Sequence, residues 1–465
     1  MMRRRESSPD GVQQSRRNLL KSGLGVALLA GVPGELLALG DRPASARSSR
    51  PWLDAALEVD RWIRSSRIVT DHGIAWPADP RTPSSISTDL YSGTPGILLF
   101  LLELHAATGD PALLDEACAG ADWLIAQLVL PASGSTPCGL YEGLAGTSFV
   151  LQRVHDASGR PPYREAALRS LRGVHRAART AGSGVEWSDS TDIISGSSGI
   201  GLFLLGAARS WKDEASHELA VRVGRRLVEL ARPDHGGLSW RMDPTFPRLM
   251  PNFSHGTAGV AYFLATLGRE SGHREFLDAA AAGGRYLQAI AHREGQGCVV
   301  EHHDGDGSDL FYLGWCHGPV GTARLFHQLG RARGEPEWDG WVRRFAAGIT
   351  ESGIPERRTP GFWNNVSQCC GDAGVAQFFL DLHRTQGDKA YLAFSRRVTE
   401  DLMRRATRDP SGLRWVQAEH RVRPEWTIAQ TGWMQGAAGI GAWLLRLDAF
   451  ERGTDHLIAL PDSPF

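Results

Sequence analysis

Three cysteines in this sequence could assemble thiolate chemistry. Cys316 is followed some fifty residues later by the adjacent pair Cys369 and Cys370, and glycine follows closely in each case. Three thiolates can take three corners of a tetrahedron about zinc and leave the fourth for water or a substrate sulfur, which is the layout of a catalytic site. The spacing is that of neither a zinc finger nor a ribbon, so the site exists only if the fold sets the two turns side by side. Buried free thiols and a Cys369–Cys370 vicinal disulfide are the other readings of the same residues. Six Cys in 465 residues are too few for a disulfide framework. The acidic stretch Glu301-His302-His303-Asp304-Gly305-Asp306-Gly307-Ser308-Asp309 lacks the EF-hand register and reads as a solvated turn. Asn364 and Asn365, just before the Cys pair, could contact a substrate or cap a helix.

What must position these residues is a repeat. Seven segments carry Gly-x-x-Gly followed by a strongly apolar stretch, with first and second glycines at Gly93 and Gly96, Gly143 and Gly146, Gly196 and Gly199, Gly256 and Gly259, Gly318 and Gly321, Gly371 and Gly374, and Gly436 and Gly439. Between them lie amphipathic stretches at 52–68, 111–129, 163–179, 213–232, 274–291, 336–352 and 389–407, with apolar residues three and four apart. Seven apolar helices alternating with seven polar-faced ones pack most simply as an all-α, α/α toroid, apolar helices inside and amphipathic helices outside. The Gly-x-x-Gly turns then gather at one end of the inner ring around a central cavity, and the turns bearing Cys316 and the Cys pair become neighbours. A second recurring element, Gly73 to Trp76, Gly184 to Trp187, Gly237 to Trp240, Gly361 to Trp363 and Gly412 to Trp415, reads as short extended segments or hairpins whose Trp packs the core.

The formal net charge of -1 gives no field that would favour nucleic acid or anionic lipid as partner. Residues 1–46 differ from the rest. Ser15-Arg16-Arg17-Asn18-Leu19-Leu20-Lys21 heads a short apolar run, and Ala44-Ser45-Ala46 offers a small-x-small cleavage site. This resembles a twin-arginine export signal, with Leu19 at the usual Phe; a basic tail with a chance Arg pair is the alternative. The run is too short and interrupted to span a bilayer comfortably, so no stable membrane insertion is expected after cleavage. The expected organisation is a signal segment over 1–46, a single toroid over 47–465, export to the envelope or exterior, and a monomer.

Trp315-Cys316-His317-Gly318, followed by Cys369-Cys370-Gly371 and preceded by Asp192 to Gly196 and Ser254-His255-Gly256, resembles the lanthionine synthetase C-like family over about residues 50–450. That resemblance implies a toroid of seven inner and seven outer helices that holds zinc through Cys316, Cys369 and Cys370, with Cys370 standing where the family usually has His. It implies a catalytic role for His255 and help with proton transfer from Asp192. His317 stands where cyclases often carry Tyr, and Tyr312 where active ones tend to have Arg. The activity implied is zinc-assisted addition of a thiol to dehydroalanine or dehydrobutyrine, forming a thioether as in lanthipeptides, with a dehydrated peptide or small thiol as substrate. Two other classes compete: a non-catalytic toroid binding zinc and a thiol or peptide, and a glycoside-processing toroid. The last would need two carboxylates on the cavity, with only Asp192, Glu142 and Asp372 available in turns.

Overall fold

A computed structural model describes residues 50–128, 137–305, 309–454 and 457–465. The export signal expected over residues 1–46 lies outside them. Among the described residues fourteen α-helices alternate between two layers. The outer layer holds α1 (Pro51–Ser65), α3 (Pro111–Ala126), α5 (Pro161–Ala177), α7 (Glu214–Leu230), α9 (Arg274–Ile290), α11 (Pro336–Glu351) and α13 (Lys389–Arg404). The inner layer holds α2 (Thr94–Thr108), α4 (Leu144–Ser158), α6 (Ser197–Trp211), α8 (Thr257–Ser271), α10 (Pro319–Arg333), α12 (Asp372–Gln386) and α14 (Ala437–Arg452).

Local sequence explains the alternation. Outer helices bury one stripe, as in α1, where Leu53, Ala56, Val59 and Ile63 face inward. Four of them have Pro in the first turn, where its missing N–H is no loss, and Asp110 caps α3 by accepting from the Ala112 N–H at 2.9 Å. Inner helices are buried nearly all round, as in α8, where every residue from Thr257 to Gly268 is buried. Each fully buried Leu or Phe of these helices contributes about 1.5–3 kcal/mol over an exposed one.

The inner helices touch in sequence order and α14 touches α2, while the first outer helix packs on the last inner one. The toroid is therefore closed, and Arg50 ties the junction by pairing with Asp448 at 2.5 Å.

Five outer helices, α1, α5, α7, α9 and α13, run straight into two-stranded antiparallel hairpins such as 179–181 with 184–186, so the amphipathic stretches end a few residues earlier than their pattern suggested. The Trp that follows three of these hairpins caps the preceding helix. The indole N–H of Trp187, Trp240 and Trp415 donates to Val174, Leu227 and Leu402 carbonyls at 2.8, 2.7 and 2.8 Å, which are carbonyls of a last turn that the helix itself leaves open. Trp363 differs: its short strand pairs in parallel with 311–312, and its ring lines a surface cavity with Arg248, His303 and Arg421.

The Gly-x-x-Gly spacing has a steric origin. The second glycine lies where the turn folds back over the helix start, and a Cβ at Gly321 or Gly439 would run into the carbonyl six residues earlier, of Trp315 or Trp433. No described helix is long and apolar enough to cross a membrane.

Candidate metal centre

The seven turns are stitched into a ring by backbone hydrogen bonds. Tyr91 donates to Tyr141, Tyr141 to Ile194, Ile193 to Ser254, Ser254 to Cys316, Cys316 to Cys369, Cys369 to Met434 and Met434 back to Tyr91, all between 2.8 and 3.2 Å. Residues at the two positions before each first glycine are thus held side by side at one end of the toroid. Cys316, Cys369, Tyr91 and Ser254 occupy the earlier position; Cys370, His255, His317, Gln435 and Glu142 occupy the later one.

Two adjacent turns bring the three cysteines together, with all three Sγ atoms within 4.8 Å of one another. Cys316 Sγ lies 3.1 Å from Cys370 Sγ, and Cys370 Sγ lies 3.6 Å from Cys369 Sγ. All three are buried and none is in a disulfide. Zn–S bonds of about 2.3 Å imply tetrahedral edges of about 3.8 Å, so small outward shifts of the sulfurs would accommodate the ion. The soft, buried, all-sulfur donor set suits zinc. Burial pushes the thiols of Cys316 and Cys369 well above their ordinary range, while hydrogen bonds from Cys316 and Cys369 favour the thiolate at Cys370. A divalent ion bound here would let all three sulfurs ionise.

Sequence reasoning overlooked Tyr91 and Gln435. Tyr91 Oη donates to Cys369 Sγ at 3.0 Å, and Gln435 Nε2 reaches Tyr91 Oη at 3.1 Å and Cys370 Sγ at 3.6 Å. Both could have been found from register, since they hold in the first and seventh turns the positions that Cys369 and Cys370 hold in the sixth.

His255 lines the same cavity as the cysteines, with the buried Asp192 behind it. Asp192 Oδ1 accepts from the backbone N–H of Ser195 at 2.9 Å and of Gly196 at 2.6 Å, which fixes the carboxylate, and Oδ2 meets His255 Nδ1 at 2.5 Å. Asp192 is 2% exposed and the His255 side chain 30%, leaving Nε2 toward a cavity of about 330 Å³ that is also lined by the three cysteines, Tyr91 and Glu142.

Beside His255 the lining of the cavity is aromatic. His317 lies 5.6 Å from His255 and 4.1 Å from His302 between ring centroids, and His302 packs on Tyr312 at 4.5 Å. Burial lowers His302 to about 3 and holds His317 well below the usual imidazole range. His302 corrects the reading of 301–309 as a solvated turn: tertiary packing, invisible in local polarity, folds its ring into the site. The Tyr312 hydroxyl is met by Arg421, from the turn between strands 417–420 and 423–428, so a guanidinium arrives there from another element. Asn364 and Asn365 are structural: Asn364 donates to Asp372, and Asn365 Oδ1 accepts from Ser367 N at 3.0 Å and Ser367 Oγ at 2.8 Å. Among the turn carboxylates, Asp372 is held by Arg358 at 2.8 Å and Arg405 at 2.6 Å, and Asp192 by His255. Among the described residues, Glu142 is the one carboxylate lining the cavity that holds the cysteines, where glycoside cleavage would need a pair.

A family model for lanthionine synthetase C-like protein matches residues 84–455. The chain belongs to the lanthionine synthetase C-like family. Among solved structures, nisin cyclase is similar in fold to this lanthionine synthetase C-like chain, with TM-score 0.62 at 16% identity over 86% of this chain and 94% of its own. Weaker likenesses are an α-mannanase of Bacteroides thetaiotaomicron, with TM-score 0.46 at 11% identity over 88% of this chain and 97% of that one, and a sugar epimerase from a ruminal bacterium, with TM-score 0.43 at 12% identity over 88% and 100%. No curated protein matches by sequence.

Proposed function

We propose that this protein is an exported, zinc-dependent catalyst that adds a thiol to a dehydroalanine or dehydrobutyrine residue, forming a thioether. The observation that carries the reading is the meeting on one cavity of three buried thiols and His255, whose ring is held from behind by Asp192. Cys316, Cys369 and Cys370 would hold the ion, with Tyr91 and Gln435 orienting two of the sulfurs. Bound there, zinc would supply the positive charge that keeps a substrate thiol ionised at neutral pH.

The chain's own groups account for the proton. Asp192, fixed by two backbone N–H groups, sets the His255 ring so that Nδ1 faces the carboxylate and Nε2 the substrate. From Nε2 a proton can pass to the carbon beside the substrate carbonyl once sulfur has added at the neighbouring carbon. The neutral rings of His302 and His317 keep that side of the cavity free of competing charge. A dehydrated peptide, or a small thiol with such a peptide, is the substrate class this chemistry needs.

The test is to mix the zinc-loaded protein with a dehydroalanine peptide and a thiol and follow adduct mass against time. Catalysis above the uncatalysed rate supports the reading. Zinc and thiol binding with no acceleration would instead make the protein a binding module.

A further inference from the structure

Residues 457–465 enter the toroid from the side away from the turns. Arg446 of α14 donates to the Ile458 carbonyl at 2.6 Å, Arg331 of α10 to the Pro464 carbonyl at 2.6 Å, and Phe465 packs on His327 and Phe378 with centroids 4.6 and 6.2 Å away. At the centre of this segment lies Asp462, which is fully buried. Its carboxylate accepts from Tyr141 Oη at 3.0 Å, Trp315 Nε1 at 3.0 Å and Arg324 Nη1 at 2.7 Å.

The cost of burying this carboxylate is offset by its ion pair with the Arg324 guanidinium and by the two further buried donors it satisfies. What the carboxylate adds is a common acceptor for two members of the ring of turns. Trp315 precedes Cys316, and the backbone N–H groups of both donate to the Cys369 carbonyl at 2.7 and 3.2 Å. Tyr141 accepts from the Tyr91 N–H, and Tyr91 in turn donates to Cys369 Sγ. Asp462 therefore reaches the Cys316 side through one neighbour and the Cys369 side through another. The Tyr141 and Trp315 rings, 5.3 Å apart at 60°, link the two routes.

We infer that Asp462 is a positioning residue for the thiol set, clamping the Tyr141 and Trp315 turns from inside the toroid so that the sulfurs of Cys316 and Cys369 are held at ligand spacing. The inference rests on the reading of the three cysteines as a metal site. In the full chain, Asp462→Asn keeps the size of the side chain but puts an N–H₂ in place of one carboxylate oxygen, so that either Tyr141, bonded to Oδ1, or Trp315 and Arg324, bonded to Oδ2, lose their acceptor. Zinc affinity measured by chelator competition should fall by about 10- to 100-fold, the usual effect of removing a group that orients a ligand. The sulfur-to-metal absorption of the cobalt(II)-loaded protein should shift as the sulfurs move. Tyr141→Phe, which deletes one hydroxyl, should change both readouts in the same direction by less, and it decides the matter if Asp462→Asn does not fold. Wild-type affinity and an unshifted cobalt spectrum in the variants, with only a lower Tm, would make Asp462 a mere plug and overturn the inference. Failure of the wild type itself to bind zinc or cobalt would overturn the metal reading instead.

Discussion

Replacing Asp192 by Asn probes the proposed proton-handling pair with little disturbance of the fold. The Asn Oδ1 can still accept from the Ser195 and Gly196 N–H groups, so the turn before α6 keeps the two bonds at 2.9 and 2.6 Å that shape it. The group facing His255 Nδ1 changes from a carboxylate oxygen to an N–H₂. A hydrogen bond to a charged partner is worth about 1.5–3 kcal/mol, which at 1.4 kcal/mol per factor of ten is roughly a 10- to 150-fold loss of rate when that bond is lost from the proton-transfer step. The facing N–H₂ also forces Nδ1 to accept, so the ring adopts the other tautomer and the total loss in rate can reach about 10⁴. Adduct formation with a dehydroalanine peptide and a thiol, followed by mass spectrometry on protein of measured zinc content, gives the rate. The expected outcome is full zinc, nearly unchanged Tm and a rate lowered by at least about tenfold. A wild-type rate in Asp192→Asn would refute the role given to the pair, as would a loss of rate that tracked a loss of zinc.

His255→Asn should likewise retain zinc and fold while slowing thiol addition by about 10²- to 10⁴-fold; an unchanged rate with zinc retained would make the histidine structural. Gly321→Ala places a methyl against the Trp315 carbonyl, and its strain should lower stability by about 1–3 kcal/mol or more; a Tm equal to wild type would show that the turn has room to relax. Replacing Arg16 and Arg17 together by Lys should leave the precursor in the cytoplasm, because the export machinery reads the guanidinium pair rather than charge alone; normal secretion of that double variant would identify the segment as something else.

Much of the architecture was legible in the sequence because it repeats. Every second glycine sits under a carbonyl six residues back, so Gly-x-x-Gly recurs at each inner helix start whatever else varies. The one-sided and all-round burial of outer and inner helices reproduces the amphipathic and apolar stretches. Helix ends were less legible: the pattern of α5 runs on to 179, but the chain there already belongs to the strand 179–181. Within the site, the meeting of Cys316 with Cys369 and Cys370 followed from turn order alone, whereas the roles of His255 and Asp192 came from family resemblance. Tyr91 and Gln435 were hidden because Tyr and Gln carry no metal signature by type, although their register pointed to the site. His302, Arg421 and Asp462 come from segments outside the repeat, and no period in the sequence places them.

The most direct test of the account is the metal content of protein purified from the cytoplasm under reducing conditions, beside that of Cys370→Ala. Three buried thiols in adjacent turns predict about one zinc per wild-type chain, and the variant, left with two thiols, should lose the metal together with thiol addition. Wild-type protein without zinc and with an intact Cys369–Cys370 disulfide would contradict it.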